Sequence, residues 1–421
     1  MFEKVIGYEG VKAELVQLVD IIRNRDKYEN KGAKVPCGLL IYGAPGVGKS
    51  VLSQEFINQT ELPYYIIRKD KTRASIIESI TETFKKAKDN SPSIVFLDDM
   101  DKLSNEDNRH CDTEEYVTIQ SCIDNVKGCG VFVLATVNDI TKLPRSLKRV
   151  GRFDRKIEIT PPSYTDAKKI IEYYLKDKPV DKDLNYDDLG KMINYKSCVE
   201  LENLINESTL LSIYQGKEKV DIDDIKRTVL RLQYKTNDDD ISDDVTDEEI
   251  DKIAYHEAGH TVISELLKSG CVGLVNIRKS KEGAGGFTHR YIGLDNDIDY
   301  VYVSVAGKIA TSLYYPDFYD GNISDYRTAA EDLREIITVK GKLGNNHLET
   351  NRYSEMTYIF DREIEILVAA EMNRIENEVR KMLMDNREFL EKVHDELIEK
   401  EALLASDIKR IKESVGKGIK Q

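Results

Sequence analysis

Two histidines four residues apart form the first candidate chemical site. His256 and His260 enclose Glu257 in the pattern H-E-x-x-H. On a helix, residues i and i+4 lie on one face, so both imidazoles can bind one Zn²⁺. Apolar residues at helical spacing on both sides of the motif predict that helix. Glu257 lies beside the pair, where a carboxylate is suited to act as general base towards a water that the metal activates.

The third metal ligand is not fixed by the local sequence. A metzincin would need a further histidine at the position of Leu266, which excludes that class of protease. Spacing alone leaves four candidates, which are Glu282, His289, Asp325 and Glu331.

The second candidate site is a glycine-rich run that matches G-x-x-x-x-G-K-[ST]. Its residues are Gly43, Ala44, Pro45, Gly46, Val47, Gly48, Lys49 and Ser50. The run follows an expected strand and opens an expected helix, which is the context that a phosphate-binding loop requires. There the backbone N–H groups surround the phosphates, Lys49 contacts the β- and γ-phosphates and Ser50 binds Mg²⁺. The sequence therefore predicts a site for ATP and Mg²⁺.

Polar residues follow two further apolar runs and complete the predicted nucleotide site. Asp98 and Asp99 follow the first run, and Asn138 follows the second. We expect Asp98 to hold Mg²⁺, Asp99 to orient the attacking water and Asn138 to contact the γ-phosphate. The alternative for Asp99 is a helix N-cap near Met100, with Asp101 orienting the water instead.

The elements that must position these residues can be read from hydrophobic patterns. Continuous apolar runs at 39–42, 94–97 and 131–137 predict buried parallel strands, with a helical pattern between the first two. The fold class is therefore multidomain, and it begins with a doubly wound α/β nucleotide-binding domain at residues 1–160. A helical lid is expected at 161–236, an acidic linker at 237–249 and a mostly α-helical zinc peptidase domain at 250–421.

Composition narrows the class of protein further. The 421 residues carry 62 Lys and Arg against 76 Asp and Glu, a net charge of −14 that disfavours general nucleic-acid binding. No apolar stretch approaches the roughly 20 residues that a membrane helix needs. The six cysteines form no C-x-x-C pair, which is typical of reduced thiols. These features predict a cytoplasmic protein, with membrane association only if an N-terminal anchor is missing from this chain.

Residues 1–236 resemble an AAA+ ATPase module. The segment Thr136-Val137-Asn138 resembles its sensor-one segment, and residues 149–155 resemble the arginine-finger segment R-P-G-R-F-D-R, with Val150 in place of proline. The resemblance implies that Arg149 and Arg152 reach the nucleotide of the neighbouring subunit. It therefore implies a ring, usually a homo-hexamer.

Residues 247–421 resemble the peptidase domain of the FtsH family of ATP-dependent zinc metalloproteases. Residues 254–260 match its motif A-Y-H-E-A-G-H, and Asp325-Tyr326-Arg327 resembles the segment that carries the third ligand of the family, an aspartate. The resemblance thus implies that Asp325 binds the metal. It also implies an ATP-dependent zinc metalloendopeptidase that unfolds and degrades protein or peptide substrates.

The sequence departs from that family at two functional positions. The segment 68–73 is basic and has no aromatic residue where the family grips its substrate, and Asp99 stands where the family has a glutamate. Two alternatives are kept open, and these departures favour the second, while the intact Glu257 argues against the first. One is an ATP-dependent remodelling chaperone whose peptidase domain is a scaffold, and the other is a slow regulatory ATPase with peptidase action limited to unfolded chains.

Overall fold

The structure is a computed structural model of the chain. It describes residues 2–68, 73–103, 114–193, 195–236, 246–278, 285–316, 323–340 and 355–416. Packing divides the chain into two compact units. The first unit comprises Met1–Pro179 with Ile193–Glu207, and the second comprises Val180–Met192 with Ser208–Gln421.

A five-stranded parallel sheet forms the centre of the first unit, with strand order β2-β3-β4-β1-β5. Its strands are β1 (Gly38–Tyr42), β2 (Tyr64–Ile67), β3 (Ser93–Leu97), β4 (Val131–Val137) and β5 (Arg155–Glu158). The three apolar runs predicted as strands are β1, β3 and β4, which confirms that prediction. Every residue of β3 and β4 is buried, because helices cover both faces of the sheet.

Helices precede, connect and follow these strands. They are α1 (Glu9–Arg23), α2 (Arg25–Glu29), α3 (Lys49–Thr60), α4 (Arg73–Asp89), α5 (Glu114–Asn125) and α6 (Tyr164–Leu175). The helix expected between the first two predicted strands is α4, whose Ile76, Ile80, Phe84 and Ala87 are buried in the core. Since parallel strands end at one edge of a sheet, β1, β3 and β4 bring their C-terminal residues together there.

The second unit is mostly helical, as predicted. Its helices are α7 (Tyr186–Met192), the end of α8 (Cys198–Tyr214), α9 (Ile222–Tyr234), α10 (Asp247–Leu267), α11 (Asp297–Tyr314), α12 (Ile323–Thr338), α13 (Glu355–Asp385), α14 (Arg387–Lys400) and α15 (Ala405–Val415). It also contains an antiparallel sheet of order β7-β6-β8, which the sequence analysis did not predict. These strands are β6 (Val272–Asn276), β7 (Phe287–Arg290) and β8 (Ala402–Leu404).

The compact units differ from the predicted domain limits. The expected lid at 161–236 is divided between them, because α7 and α9 pack against the second unit. Buried Asp188 of α7 accepts a hydrogen bond from the Ser406 N–H at 3.0 Å, and Tyr234 of α9 stacks on Phe287 at 3.6 Å. Helix α10 begins inside the expected linker 237–249, because Thr246 and Glu249 form a reciprocal capping box. Residues 237–245 of that linker lie outside the described residues.

Within the part of the chain that the structure describes, no helix is both long enough and apolar enough to span a bilayer.

Candidate nucleotide and metal sites

The glycine-rich run lies between β1 and α3, as the sequence analysis predicted. Gly46 and Gly48 have φ of 80° and 96°, a backbone conformation that residues with a side chain rarely adopt. Gly48 precedes the first helical residue and provides no side-chain cap. Gly48 therefore leaves the first backbone N–H groups of α3 uncapped. Uncapped N–H groups at a helix N-terminus can donate hydrogen bonds to a phosphate.

Lys49 is held by neutral oxygen atoms in this site. Its Nζ donates hydrogen bonds to the carbonyls of Gly43 at 2.7 Å and Ala44 at 2.9 Å, and to Asn138 Oδ1 at 2.8 Å. Burial lowers the pKa of this ammonium, against the attraction of nearby carboxylates. A phosphate would provide the negative charge that these acceptors lack, so the residues present fit a nucleotide.

Thr136 links the two acidic residues that follow β3. Its Oγ1 donates to Asp98 Oδ1 at 3.0 Å and accepts from the Asp99 N–H at 2.8 Å. The Asp99 carboxylate pairs instead with Lys102 Nζ at 2.6 Å. Asp99 precedes a 3₁₀ turn, but its side chain makes no capping hydrogen bond. The N-cap alternative for Asp99 therefore finds no support in this geometry.

Asp101 is tied to the segment that contains Asn138. Its Oδ2 accepts the Asn138 N–H at 3.1 Å, and its Oδ1 is buried without a partner among the described residues. The end of β4 is thus fastened to the acidic segment through both Thr136 and Asp101, so the predicted nucleotide residues lie together at one edge of the sheet.

The two arginines that resemble arginine fingers differ in their surroundings. Arg149 is exposed, and no described residue pairs with it. The Arg152 guanidinium is bound within its own unit, to both carboxylate oxygens of Asp124 at 2.7 and 3.2 Å. The structure therefore gives the two arginines distinct environments, whereas the resemblance gave them one role.

Three side chains converge on one point in the second unit. His256 Nε2 lies 3.0 Å from His260 Nε2 and 3.2 Å from Asp325 Oδ2, and His260 Nε2 lies 3.5 Å from the same oxygen. They form the one group of potential metal ligands within the described residues. His289 and Glu331 lie outside that group, and Glu282 lies outside the described residues.

This triad has the dimensions of a zinc site. Nitrogen and oxygen ligands lie about 2.0–2.2 Å from Zn²⁺, which puts neighbouring ligands of a tetrahedron about 3.3–3.6 Å apart. The three separations of 3.0–3.5 Å are close to that range. His260 Nδ1 also lies 2.7 Å from the Val303 carbonyl, and an N–H donated there leaves Nε2 to bind the metal.

The charge balance of the triad favours a cation. Burial opposes ionisation of Asp325, but hydrogen bonds from His256 and His260 hold the pKa of its carboxyl well below the usual range. Asp325 is in the first turn of α12, and its side chain points at the histidines. A carboxylate with two imidazoles is a donor set that suits Zn²⁺.

Glu257 lies on the same helix as the histidines and is 4 % exposed. Its Oε2 accepts a hydrogen bond from Thr288 Oγ1 of β7 at 2.8 Å. A Cβ on Gly286 would meet Glu257 Cγ at 2.9 Å and Oε1 at 3.0 Å, so the chain passes directly over the carboxylate. Two residues of the segment at β7 thus fix the position of the expected general base.

The sequence analysis missed the glycine that makes room for the imidazole rings of His256 and His260. A Cβ on Gly307 of α11 would lie 2.5 Å from the His256 ring and 2.6 Å from His260 Nε2. It also missed Thr288, which belongs to a short strand without a clear apolar pattern. The signal for Gly307 is a glycine inside a strongly apolar helix, which generally marks a close packing contact.

The basic segment 68–73, which is equivalent to the substrate-gripping loop of the FtsH family, is only partly described. Arg68 pairs with Asp98 Oδ2 at 3.0 Å, and residues 69–72 lie outside the described residues.

Comparisons with known proteins find a family model for the first unit and relatives that align over nearly the whole chain. A family profile described as "ATPase family associated with various cellular activities (AAA)" matches residues 39–161, which include the glycine-rich run and the segment 149–155. Three relatives align over 97 % of this chain, and all are described as ATP-dependent zinc metalloproteases FtsH.

The relatives differ in how much of their own length aligns. The relative from Mycoplasma mobile is 26 % identical, and the alignment covers 62 % of it. The relatives from Alkaliphilus metalliredigens and Thermoanaerobacter sp. are 28 % and 25 % identical, with 73 % and 82 % covered. The chain thus spans about three fifths of the first of these relatives. With a complete phosphate-binding loop and a zinc-type triad in the expected order, the chain is similar to the FtsH proteins over nearly all of its length.

Proposed function

We propose that the chain is an ATP-dependent zinc metalloendopeptidase that unfolds and degrades proteins as a homo-hexameric ring. The observation that carries the proposal is the triad of His256, His260 and Asp325, with Glu257 buried beside it. A complete glycine-rich phosphate loop in the same chain supports coupling to ATP. The names of the aligned relatives support both activities.

Peptide hydrolysis would use residues of the second unit. His256, His260 and Asp325 would hold zinc, which when bound supplies the Lewis acidity that makes water a nucleophile at neutral pH. Glu257 would take the proton of that water. Thr288 already donates to Oε2 of Glu257, so Oε1 is the oxygen left to receive the proton.

ATP hydrolysis would use residues of the first unit. Lys49 would exchange its neutral acceptors for the β- and γ-phosphates, and Ser50 and Asp98 would hold Mg²⁺. Asp99 would orient the attacking water, and Asn138 would contact the γ-phosphate. An arginine from the neighbouring subunit would stabilise the transition-state charge, which is why the proposal includes a ring.

Casein cleavage with and without ATP, and with a metal chelator, tests this proposal. We expect cleavage that ATP stimulates and the chelator abolishes. Glu257→Gln should abolish cleavage and retain about one zinc per chain, since it leaves the three ligands intact. Lys49→Ala should remove the ATP stimulation only.

Other outcomes of the same experiment select the alternatives. Remodelling activity without any cleavage by the zinc-loaded protein would indicate a chaperone with a scaffold domain. Cleavage that is confined to unfolded chains and insensitive to ATP would indicate a regulatory ATPase. Active protein without zinc would contradict the metal assignment.

A further inference from the structure

We infer that Arg152 is a positioning residue that fixes the turn carrying Arg149, and that Arg149 alone reaches the neighbouring nucleotide. This inference rests on the proposed ring ATPase, and it assigns different roles to two arginines that the family resemblance treats alike.

The first argument is that nearly all N–H groups of the Arg152 guanidinium donate hydrogen bonds within its own subunit. Nε and Nη2 donate to the two carboxylate oxygens of Asp124 at 3.2 and 2.7 Å, a bidentate pair. Nη1 donates to the Ser146 carbonyl at 2.7 Å and to Gln120 Oε1 at 3.2 Å. Four of the five N–H groups of the guanidinium are therefore engaged within its own subunit.

The charges around this pair agree with a stable attachment. Hydrogen bonding to Arg152 lowers the pKa of Asp124 to about 2, with a second hydrogen bond from Lys127 acting in the same direction. The Arg152 side chain is only 20 % exposed. To contact another subunit, Arg152 would have to break all of these contacts and leave the Asp124 carboxylate without its main partner.

The second argument is the geometry of the turn itself. The Arg152 N–H donates to the Arg149 carbonyl at 3.2 Å, and Gly151 between them has a φ of 89°. Asp154 holds the other end, since its carboxylate accepts the N–H groups of Gly151 at 2.6 Å and Cys37 at 2.8 Å. The turn is thus fastened to α5 through Arg152 and to the start of β1 through Asp154.

The third argument is that Arg149 has the opposite character. It is exposed, and no residue in the described ranges forms an ion pair or hydrogen bond with its side chain. A cation that projects from a rigid turn, with its charge uncompensated, is prepared to meet an anion outside its own subunit. Arg152 supplies the rigidity and Arg149 supplies the charge.

A double-mutant cycle on ATP turnover tests this division of roles. The variants are Asp124→Ala, Arg152→Ala and the double variant, with Arg149→Ala as reference. Lys127→Ala is the matched control, because Lys127 also pairs with Asp124 but lies beside Gly151 at van der Waals distance, whereas Arg152 is itself part of the turn. Nucleotide affinity and particle mass by light scattering are measured for each variant.

We expect Arg149→Ala to lower turnover by about 10³-fold or more. Asp124→Ala and Arg152→Ala should each lower it by on the order of 10–100-fold, the effect of a misplacement near 1 Å. The double variant should be no worse than either single variant, because both break the same contact. Lys127→Ala should match the parent, and nucleotide affinity and mass should stay unchanged throughout.

Two results would overturn the inference. One is an Arg152→Ala variant as impaired as Arg149→Ala while Asp124→Ala is fully active, since Arg152 would then act on the nucleotide directly. The other is a pair of silent single variants, since the contact would then position nothing.

A second measurement keeps the inference separate from the proposed function. Trypsin cleaves after arginine, and the Arg149–Val150 bond lies in an exposed part of the turn, where Val150 is 92 % exposed. In nucleotide-free full-length protein, Asp124→Ala should accelerate cleavage there several-fold, and Lys127→Ala should not. A parent protein without ring-dependent ATP turnover would contradict the proposed function. Trypsin cleavage of Asp124→Ala at the rate of the parent would instead refute the anchoring role of Arg152, whatever the ATP turnover.

Discussion

Lengthening Asp99 by one methylene is expected to accelerate ATP hydrolysis. The backbone of Asp99 is fixed, because its N–H donates to Thr136 Oγ1 at 2.8 Å and its φ is 50°. Its carboxylate lies on Lys102 Nζ at 2.6 Å and is 38 % exposed. The main chain of Asp99 is therefore held in place. How closely its carboxylate approaches the attacking water then depends on the length of the side chain.

The expected magnitude follows from that reach. An aspartate falls short of a glutamate by one C–C bond, about 1.5 Å. A misplacement of about 1 Å can cost on the order of 100-fold in rate, which corresponds to about 2.7 kcal/mol of activation free energy. We expect Asp99→Glu to recover about 10–100-fold, because some of the gap can already be bridged by a second water. Lys102→Ala, which only frees the carboxylate from an exposed pair, should change turnover by less than about fivefold.

Steady-state ATP turnover and nucleotide affinity of three variants decide the matter. Asp99→Glu should hydrolyse ATP faster than the parent, at similar nucleotide affinity. Asp99→Asn should lose hydrolysis, although asparagine tolerates the left-handed backbone as well as aspartate does. Lys49→Ala should weaken nucleotide binding itself. A fully active Asp99→Asn variant, or an Asp99→Glu variant no faster than the parent, would refute this reasoning and favour Asp101, whose buried Oδ1 has no described partner.

Three further substitutions test contacts that the structure reveals. Gly307→Ala should lose zinc, because the three atoms nearest to its Cβ would be imidazole atoms of His256 and His260 at 2.5–2.6 Å, which must move out of the triad. Zinc retained at one per chain would contradict this. Thr288→Val should lower kcat for peptide hydrolysis about 10-fold with KM and zinc content unchanged, and Thr288→Ser should restore it, because only a hydroxyl orients Glu257; a Thr288→Ser variant as slow as Thr288→Val would argue for a packing role. Val150→Pro should raise the free energy of unfolding by about 0.4–1 kcal/mol in thermal denaturation, since no described residue accepts the Val150 N–H; a lower melting temperature would show that the turn cannot hold proline.

The sequence predicted the strands that have continuous apolar runs and missed those that do not. β3 and β4 are fully buried, so their composition alone identifies them. In β5 only Ile157 is buried, because this strand lies at the edge of the sheet and faces solvent. β6, β7 and β8 are three to five residues long, and β6 pairs with β8 across more than 100 positions, so a local pattern does not contain that pairing.

The same distinction applies to the candidate sites. His256, Glu257 and His260 lie within one helical turn, so their spacing reveals their geometry. Asp325 comes from another helix, and sequence spacing did not distinguish it from three other candidates for the third metal ligand. The resemblance to the family was what favoured it. Thr288 contacts that motif through its hydroxyl, and no residue pattern indicated it. The signal for Gly307, a glycine within an apolar helix, does not tell which side chains lie against it.

One departure from the family, Asp99, falls on a residue expected to serve ATP, while the expected peptidase residues are all present, and this leads to a final prediction. If Asp99 slows hydrolysis, the rate of degrading a folded substrate is limited by ATP turnover and not by peptide cleavage. Asp99→Glu should then raise degradation of a folded protein in proportion to its gain in ATP turnover. Cleavage of unfolded casein in the absence of ATP should stay at the rate of the parent, because Glu257 and the zinc ligands are untouched. Measuring both substrates in one preparation provides the control, and unchanged degradation of the folded protein by a faster ATPase would show that hydrolysis at Asp99 is not the limiting step.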